Sequence, residues 1–291
     1  MPFDRISVGH VEVFALLDGV RDIDTHITEA FPGSPPDELL AHRSRHPGIY
    51  GEGDCWRLAI RAWLIRHADG LILVDTGIGQ ATAPGVEWFG ATGELHTALS
   101  EAGSAASDIG TVVISHVHDD HVGGTVDTDG APAFPNARYL IHHADIEWLR
   151  EAAKEDDEDR AVWETLLAPL EDAGAIDALD GDKTLAPGIS VHHAPGHTPG
   201  HQIVRIAGDD GTRALIAADT FNHPAQLAHP DWPSAPDDDH AMAAATRRSV
   251  LAELAADPAT TIAPTHFGEA FGHMVTGADH SAAWEPLSPP P

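Results

Sequence analysis

Residues 115–124 read Ser115-His116-Val117-His118-Asp119-Asp120-His121-Val122-Gly123-Gly124, directly after the apolar run 109–114. The run has the length and composition of a buried strand that ends at Ser115. Three imidazoles and two carboxylates at its end form an odd core segment, because burying them without partners costs several kcal/mol. A divalent ion of borderline softness, such as zinc, is the partner that suits this donor set. His116 and His118 lie two apart, so an extended or tightly turning backbone aims both at one ion. Asp120 and His121 follow the turn and face a second position beside it. Gly123 and Gly124 let the chain pass close to the site. A lone His-x-His in a chain with 21 histidines would carry little weight. The whole cluster at a strand end, closed by Gly-Gly, carries a great deal.

The chain of 291 residues is long enough for a proper core. Its 46 acidic against 16 basic residues give a formal net charge of -30. Such a surface repels nucleic-acid phosphates and anionic lipid, so neither nucleic acid nor membrane is an expected partner. Cys55 is the single cysteine, which excludes an intrachain disulfide and a thiolate metal site. No stretch approaches the ~20 apolar residues of a membrane span and no basic leader precedes an apolar run, so a cytoplasmic location is expected.

Strands are expected at 6–17, turning near Gly9, with a turn at Asp18-Gly19, and then at 57–66, 71–74, 138–142, 189–193, 202–206, 213–218 and 261–264. Helices are expected at 95–102, 144–154, 161–173 and 241–256. Residues 31–53, rich in Pro, Gly, Arg and His, read as a long excursion that faces substrate, with one helical turn at 36–42. Residues 79–93, carrying Trp88 and Phe89, read as a loop, 155–160 as a solvated charged turn, and the C-terminal tail from about 277 as irregular. Strands then helices occur twice with no linker between, which fits one domain over 1–291 built from two similar halves.

Asp75, His116, His197, Asp219 and His266 share one context: each follows an apolar strand. Strand ends along one sheet edge converge, so His116, His118 and His197 make one three-imidazole set. Asp120, His121 and His266 make a second, with Asp219 between them as a bridging carboxylate. Asp75, at a strand end beside glycines, is placed to orient a ligand histidine.

The sequence His-x-His-x-Asp-His after a strand resembles the signature of the metallo-β-lactamase superfamily, with Asp75-Thr76-Gly77 before it and Gly196-His197-Thr198-Pro199-Gly200-His201 after it. The resemblance runs over about residues 57–268. It implies an α+β fold, an αββα sandwich of two mixed β-sheets flanked by helices. It also implies that His116, His118 and His197 bind one ion, Asp120, His121 and His266 the other, and Asp219 both. The ions are expected to be zinc, with manganese, cobalt or iron as alternatives.

Within that superfamily the chain looks most like the quorum-quenching lactonases and methyl parathion hydrolase-like enzymes. Many lactonases carry a tyrosine soon after the bridging aspartate that polarises the substrate carbonyl; here Phe221, Asn222 and His223 stand there. His223 is the expected replacement donor, with a purely structural hydrogen bond as its alternative. The expected function is hydrolysis of a lactone or other carboxylic ester of low charge by a metal-bridging hydroxide, the shared water having its pKa lowered toward ~7. Asp120 would hold its proton and pass it to the leaving oxygen. Trp88, Phe89, Phe221 and Trp232 are the candidates for an apolar pocket wall. The alternatives are a phosphotriester, thioester or β-lactam hydrolase of the same superfamily, or a non-catalytic metal-binding protein. Lactonases of this kind are often dimers, and a homodimer is expected.

Overall fold

A computed structural model describes residues 4–277 and 281–287. Two seven-stranded sheets divide the chain between them. The first carries β1 (Arg5–Val8), β2 (Val11–His26), β3 (Cys55–His67), β4 (Gly70–Val74), β5 (Thr111–Val113), β6 (Arg138–His142) and β7 (Ile176–Leu179) in sequence order. The second carries β8 (Lys183–Ala186), β9 (Ile189–His193), β10 (Gln202–Ala207), β11 (Arg213–Ala218), β12 (Thr261–Pro264), β13 (Gly272–Thr276) and β14 (Ala282–Pro286), again in order. Both sheets are mixed. Strands β4 to β7 run parallel beside the antiparallel β1–β4, and β11–β12 is a parallel pair in an otherwise antiparallel sheet.

Period-two alternation decides which side chains enter which layer. Trp63, Ile65, Ile72 and Val74 point between the sheets and meet Val191, Val204, Ile206 and Ile216. Their neighbours Ala62, Leu64 and Leu73 point outward and are covered by Leu95, Leu99, Ile146, Leu149 and Leu166. On the other outer face, Ile203, Leu215 and Ile262 pack under Val250 and Leu254 of the helix His240–Ala256. Covering both faces of each sheet explains why these strands read as continuous apolar runs. The result is helix, sheet, sheet, helix: the expected αββα sandwich. No helix among the described residues is long and apolar enough to cross a membrane.

Four local expectations are corrected. Asp18-Gly19 is not a turn: β2 continues to His26 with a register shift between Leu17 and Gly19. That irregularity frees Asp18 to point into the protein, where its carboxylate accepts from the backbone N–H of Ile78 at 2.8 Å and of Leu95 at 2.7 Å. Residues 79–93 contain a helix at Gly85–Phe89. The charged stretch 155–160 begins a helix, Asp157–Val162, because Asp156 accepts from the amides of Glu158 and Asp159 and caps it. The tail from about 277 holds β14, paired with β13; residues 278–280 and 288–291 lie outside the described ones. Strands β7 and β8, short and half-polar, were not anticipated by alternation.

Asp18 supplies a pH prediction. Burial outweighs its backbone hydrogen bonds and pushes its pKa from 3.8 up to about 6, a shift of about 3 kcal/mol at most. The folded-state pKa lies above the unfolded one. Its contribution to stability is therefore full below about pH 4 and is lost as pH rises through about 6. Asp18→Asn, which cannot titrate, is expected to remove that fall from the urea-unfolding free energy; an unchanged slope against pH would contradict this.

Candidate active site

Strands β9 and β11 both run antiparallel to β10, and β12 runs parallel to β11, so all three end at the same edge. His197 follows β9, Asp219 follows β11 and His266 follows β12. In the first sheet β4 and β5 are parallel, and Asp75 and His116 follow them. After His116 the chain turns through His118 into a one-turn helix, Asp119–Val122, that presents Asp120 and His121. The turn packs tightly on the loop after β4. A Cβ on Gly79 would sit 2.0 Å from the Gly123 carbonyl oxygen, and one on Gly124 would sit 2.3 Å from the Thr76 oxygen.

These strand ends bring the predicted side chains into one cage. His116 Nε2 and His197 Nε2 lie 3.0 and 3.1 Å from His118 Nδ1. Asp219 Oδ2 lies 3.0 Å from His266 Nε2 and 3.4 Å from His197 Nε2, while its Oδ1 lies 3.4 Å from His121 Nε2. Asp120 Oδ2 is 3.4 Å from His266 Nε2 and 3.6 Å from His121 Nε2. Three groups have donor atoms all within 4.8 Å of one another: His116/His118/His197, His116/His121/Asp219 and Asp120/His121/His266. The residues fit a divalent ion. His121 Nε2 and Asp219 Oδ1 are buried with no hydrogen-bond partner and belong to one group of donor atoms within 4.8 Å of one another, as ligands of an ion would.

Each of four histidines is tied at Nδ1 so that Nε2 faces the cage. His116 Nδ1 meets Ser115 Oγ at 3.0 Å, His121 Nδ1 meets Asp75 at 2.9 Å, His197 Nδ1 meets Asp237 at 2.9 Å and His266 Nδ1 meets the Ala59 carbonyl at 2.9 Å. His118 is the exception, presenting Nδ1. Asp75 also accepts from the Ser115 amide at 2.7 Å and hydroxyl at 2.8 Å, so one carboxylate fixes both the strand end and a ring.

The electrostatics ask for a cation. Burial, reinforced by neighbouring imidazoles, holds His116 and His118 well below the usual imidazole range, neutral and with lone pairs free. For His121 burial acts the same way, but Asp120, Asp219 and Asp75 outweigh it and push the ring up to about 10. His266 is likewise raised by Asp219 against its burial. A proton at those nitrogens occupies the place that a metal ion competes for.

The cage opens into a cavity of about 900 Å³. His118, Asp120, Asp219 and His266 form its floor, and its wall includes Ile23, Trp56, Leu58, Trp88 and Phe89. Trp88 is 60% exposed. Phe221, Trp232 and His223 are not among the lining residues. Phe221 is fully buried in the packing of Leu227, Val250 and Phe267, and Trp232 stacks on His229 with 4.2 Å between ring centroids. His223 is buried with both ring nitrogens engaged: Nδ1 accepts from the Ala225 amide at 3.0 Å, and Nε2 meets the Tyr50 hydroxyl at 3.0 Å. Tyr50 donates that hydroxyl to the Leu39 carbonyl at 2.6 Å, so His223 Nε2 is the donor to Tyr50. The structural alternative therefore describes His223. The 31–53 excursion contributes no lining residue; its Phe31, Leu39, Ile49 and Tyr50 pack with Ile27 and Trp56 instead.

Several residues that hold the cage were not read from the sequence. In the sequence Arg61 alternates with the apolar residues of its strand and reads as solvated. It is buried and donates to the carbonyls of Thr265, Phe267 and Gly268 at 2.8, 2.6 and 2.7 Å, bracketing His266. A lone cation inside an apolar run was the available signal. His201 Nδ1 bonds the Ala194 carbonyl at 3.0 Å while its Nε2 accepts from the Asp219 amide at 3.2 Å. Asp145 accepts from Thr198 Oγ1 and the Gly200 amide, pinning the His197 turn to the helix His143–Ala152. Arg61→Met would remove the donor from two buried carbonyls and one partly buried one. It is expected to lower unfolding free energy by about 3 kcal/mol or more, read by urea titration.

Two mixed sheets between helices, with a histidine and aspartate cage at one edge, define a metal-dependent hydrolase. The chain belongs to the metallo-beta-lactamase superfamily, whose sequence model matches residues 56–266. An N-acyl homoserine lactonase of Bacillus cereus is 26% identical over 198 residues, covering 64% of this chain and 73% of that one. The acyl-coenzyme A thioesterase MBLAC2 of Bos taurus is 28% identical over 189 residues, covering 56% of this chain and 61% of its own. Among solved structures, AidC, a dizinc quorum-quenching lactonase in complex with a hexanoyl-homoserine product, superposes with a TM-score of 0.83. It is 27% identical, with 98% of this chain and 97% of that one covered.

Proposed function

We propose that the chain hydrolyses a lactone or other carboxylic ester of low charge, using two divalent ions. His116, His118 and His197 would hold one, Asp120, His121 and His266 the other, and Asp219 both. Zinc is the proposed metal, a choice supported by the dizinc character of AidC. When bound, such ions polarise a carbonyl oxygen and lower the pKa of water toward ~7. Asp120, which lines the cavity, would take the proton of the attacking water and return it to the leaving oxygen. The apolar wall holds the acyl or aryl part of the substrate.

The observation that carries the substrate class is the charge of the cavity. Glu87, Asp119, Asp157 and Glu158 line it together with the aromatics, and no lysine or arginine is among its lining residues. A phosphate-bearing thioester such as an acyl-coenzyme A would meet carboxylates where it needs cations. An uncharged ester pays no such penalty, and its carboxylate product is repelled. The test is a hydrolysis panel of uncharged lactones, aryl esters, acyl-coenzyme A, β-lactams and phosphotriesters, each with and without chelator. Chelator-sensitive turnover highest on lactones or esters is expected; a preference for acyl-coenzyme A would overturn the substrate class.

Trp88→Ala is expected to raise KM for an acyl lactone about fivefold or more with kcat nearly unchanged, since the ring supplies apolar contact rather than chemistry. An unchanged KM for every acyl length would remove Trp88 from the binding surface. The chain is also proposed to be cytoplasmic and a homodimer, the latter read by light scattering.

A further inference from the structure

We propose that Arg247, acting through Asp237, is a positioning residue that sets the affinity of the His116/His118/His197 position and not that of its neighbour. The inference rests on the ligand assignment proposed above. Arg247 lies on the helix His240–Ala256, in the buried stripe formed with Ala243, Val250 and Leu254. It is 1% exposed, an unusual place for a guanidinium. Its Nε donates to the Pro230 carbonyl at 2.7 Å and its Nη1 to Asp237 Oδ2 at 3.2 Å. Asp237 accepts the Ser234 amide at 3.0 Å on the same oxygen and holds His197 Nδ1 at 2.9 Å with the other. His197 Nδ1 therefore carries its hydrogen toward Asp237, and the Nε2 lone pair is left facing the cage.

The same segment grips the backbone of the His197 turn. The amides of Asp238 and Asp239 donate to the carbonyls of His197 and Gly196 at 3.0 and 2.9 Å, and Thr246 Oγ1 donates to Pro195 at 2.6 Å. Gly196 lies so close to the helix that a Cβ there would sit 2.1 Å from the Ala243 nitrogen. The helix thus reaches one ligand histidine through Arg247 and Asp237. His121 and His266 have separate supports, Asp75 and the Ala59 carbonyl, that make no use of this chain. Carboxylates behind ligand histidines typically change metal affinity 10–100-fold when lost.

The test is chelator competition on the full chain loaded with zinc, which separates the two ions by affinity. His197→Ala and His266→Ala mark which phase belongs to which position. Arg247→Met is expected to weaken the phase that His197→Ala removes by about tenfold, the low end of the effect of losing the carboxylate itself, and to leave the other within about threefold. Arg247→Lys, which keeps a cation without the fork, is expected to recover part of the loss. Asp237→Asn is read by the same criterion and decides the matter if Arg247→Met does not fold. Equal loss at both positions, or no loss in folded variants, overturns the inference. Wild-type protein that takes up no zinc would instead overturn the ligand assignment, a separate failure.

Discussion

Asp120→Asn is expected to lower lactone or ester turnover at least ~100-fold while leaving the chain folded, the usual size of a general acid-base contribution. Asp120 sits at the start of a one-turn helix held by the Gly79–Gly123 contact, so the amide side chain occupies the same volume. The substitution leaves an oxygen beside His266 and His121 but removes the group that can carry a proton in the cavity. The residue also stands in a proposed ligand set, so zinc content is measured on the same sample. A variant holding both ions and turning over at near the native rate would remove Asp120 from proton transfer. Single-turnover hydrolysis in oxygen-18 water tests the same step from the product side. Label in the product acid and an unchanged protein mass are expected, because no serine or cysteine nucleophile is placed in the cavity lining.

Asp219→Ala is expected to have a larger effect, roughly 1,000-fold or more, because it reaches histidines of both proposed ion positions. One carboxylate oxygen reaches His266 and His197, and the other reaches His121. Its amide is held by His201, and its backbone follows Ala218, which has a φ of +43°. Against the cost of burial, His266, His121 and His197 hold this carboxyl well below the usual carboxylate range. Alanine would leave three imidazoles facing one another without the anion between them. Metal content near one ion per chain or lower is expected, together with the loss of turnover. Two retained ions and native turnover would show that Asp219 bridges nothing.

The cage was legible because its residues follow strand ends, His116, His197, Asp219 and His266 directly and His118, Asp120 and His121 on the turn and short helix after β5, and strand ends are announced by apolar runs. The layers were legible for the same reason: Leu71 to Val74 and Arg213 to Ala218 have no other reading. What escaped was whatever depends on a partner far along the chain. Asp18 looks like a turn residue until the amides of Ile78 and Leu95 are brought to it. Arg61 and Arg247 look solvated until the carbonyls around His266 and the Asp237 carboxylate are in place. Phe221 and His223 follow Asp219 and so suggested a pocket wall and a donor to substrate, but the chain turns them into the core within four residues of it. Local periodicity carries no information on that turn. Glu155 to Arg160 shows the limit from the other side, since a helix capped by Asp156 starts inside a stretch whose charges read as solvated turn.

The measurement that reaches the central claim most directly is metal content of the chain purified without chelator, read by elemental mass spectrometry beside lactone or ester turnover. The two-ion account predicts close to two divalent ions per chain, with activity lost on chelation and restored with the metal. Less than one ion per chain after metal is resupplied, or full turnover in the stripped protein, would contradict it.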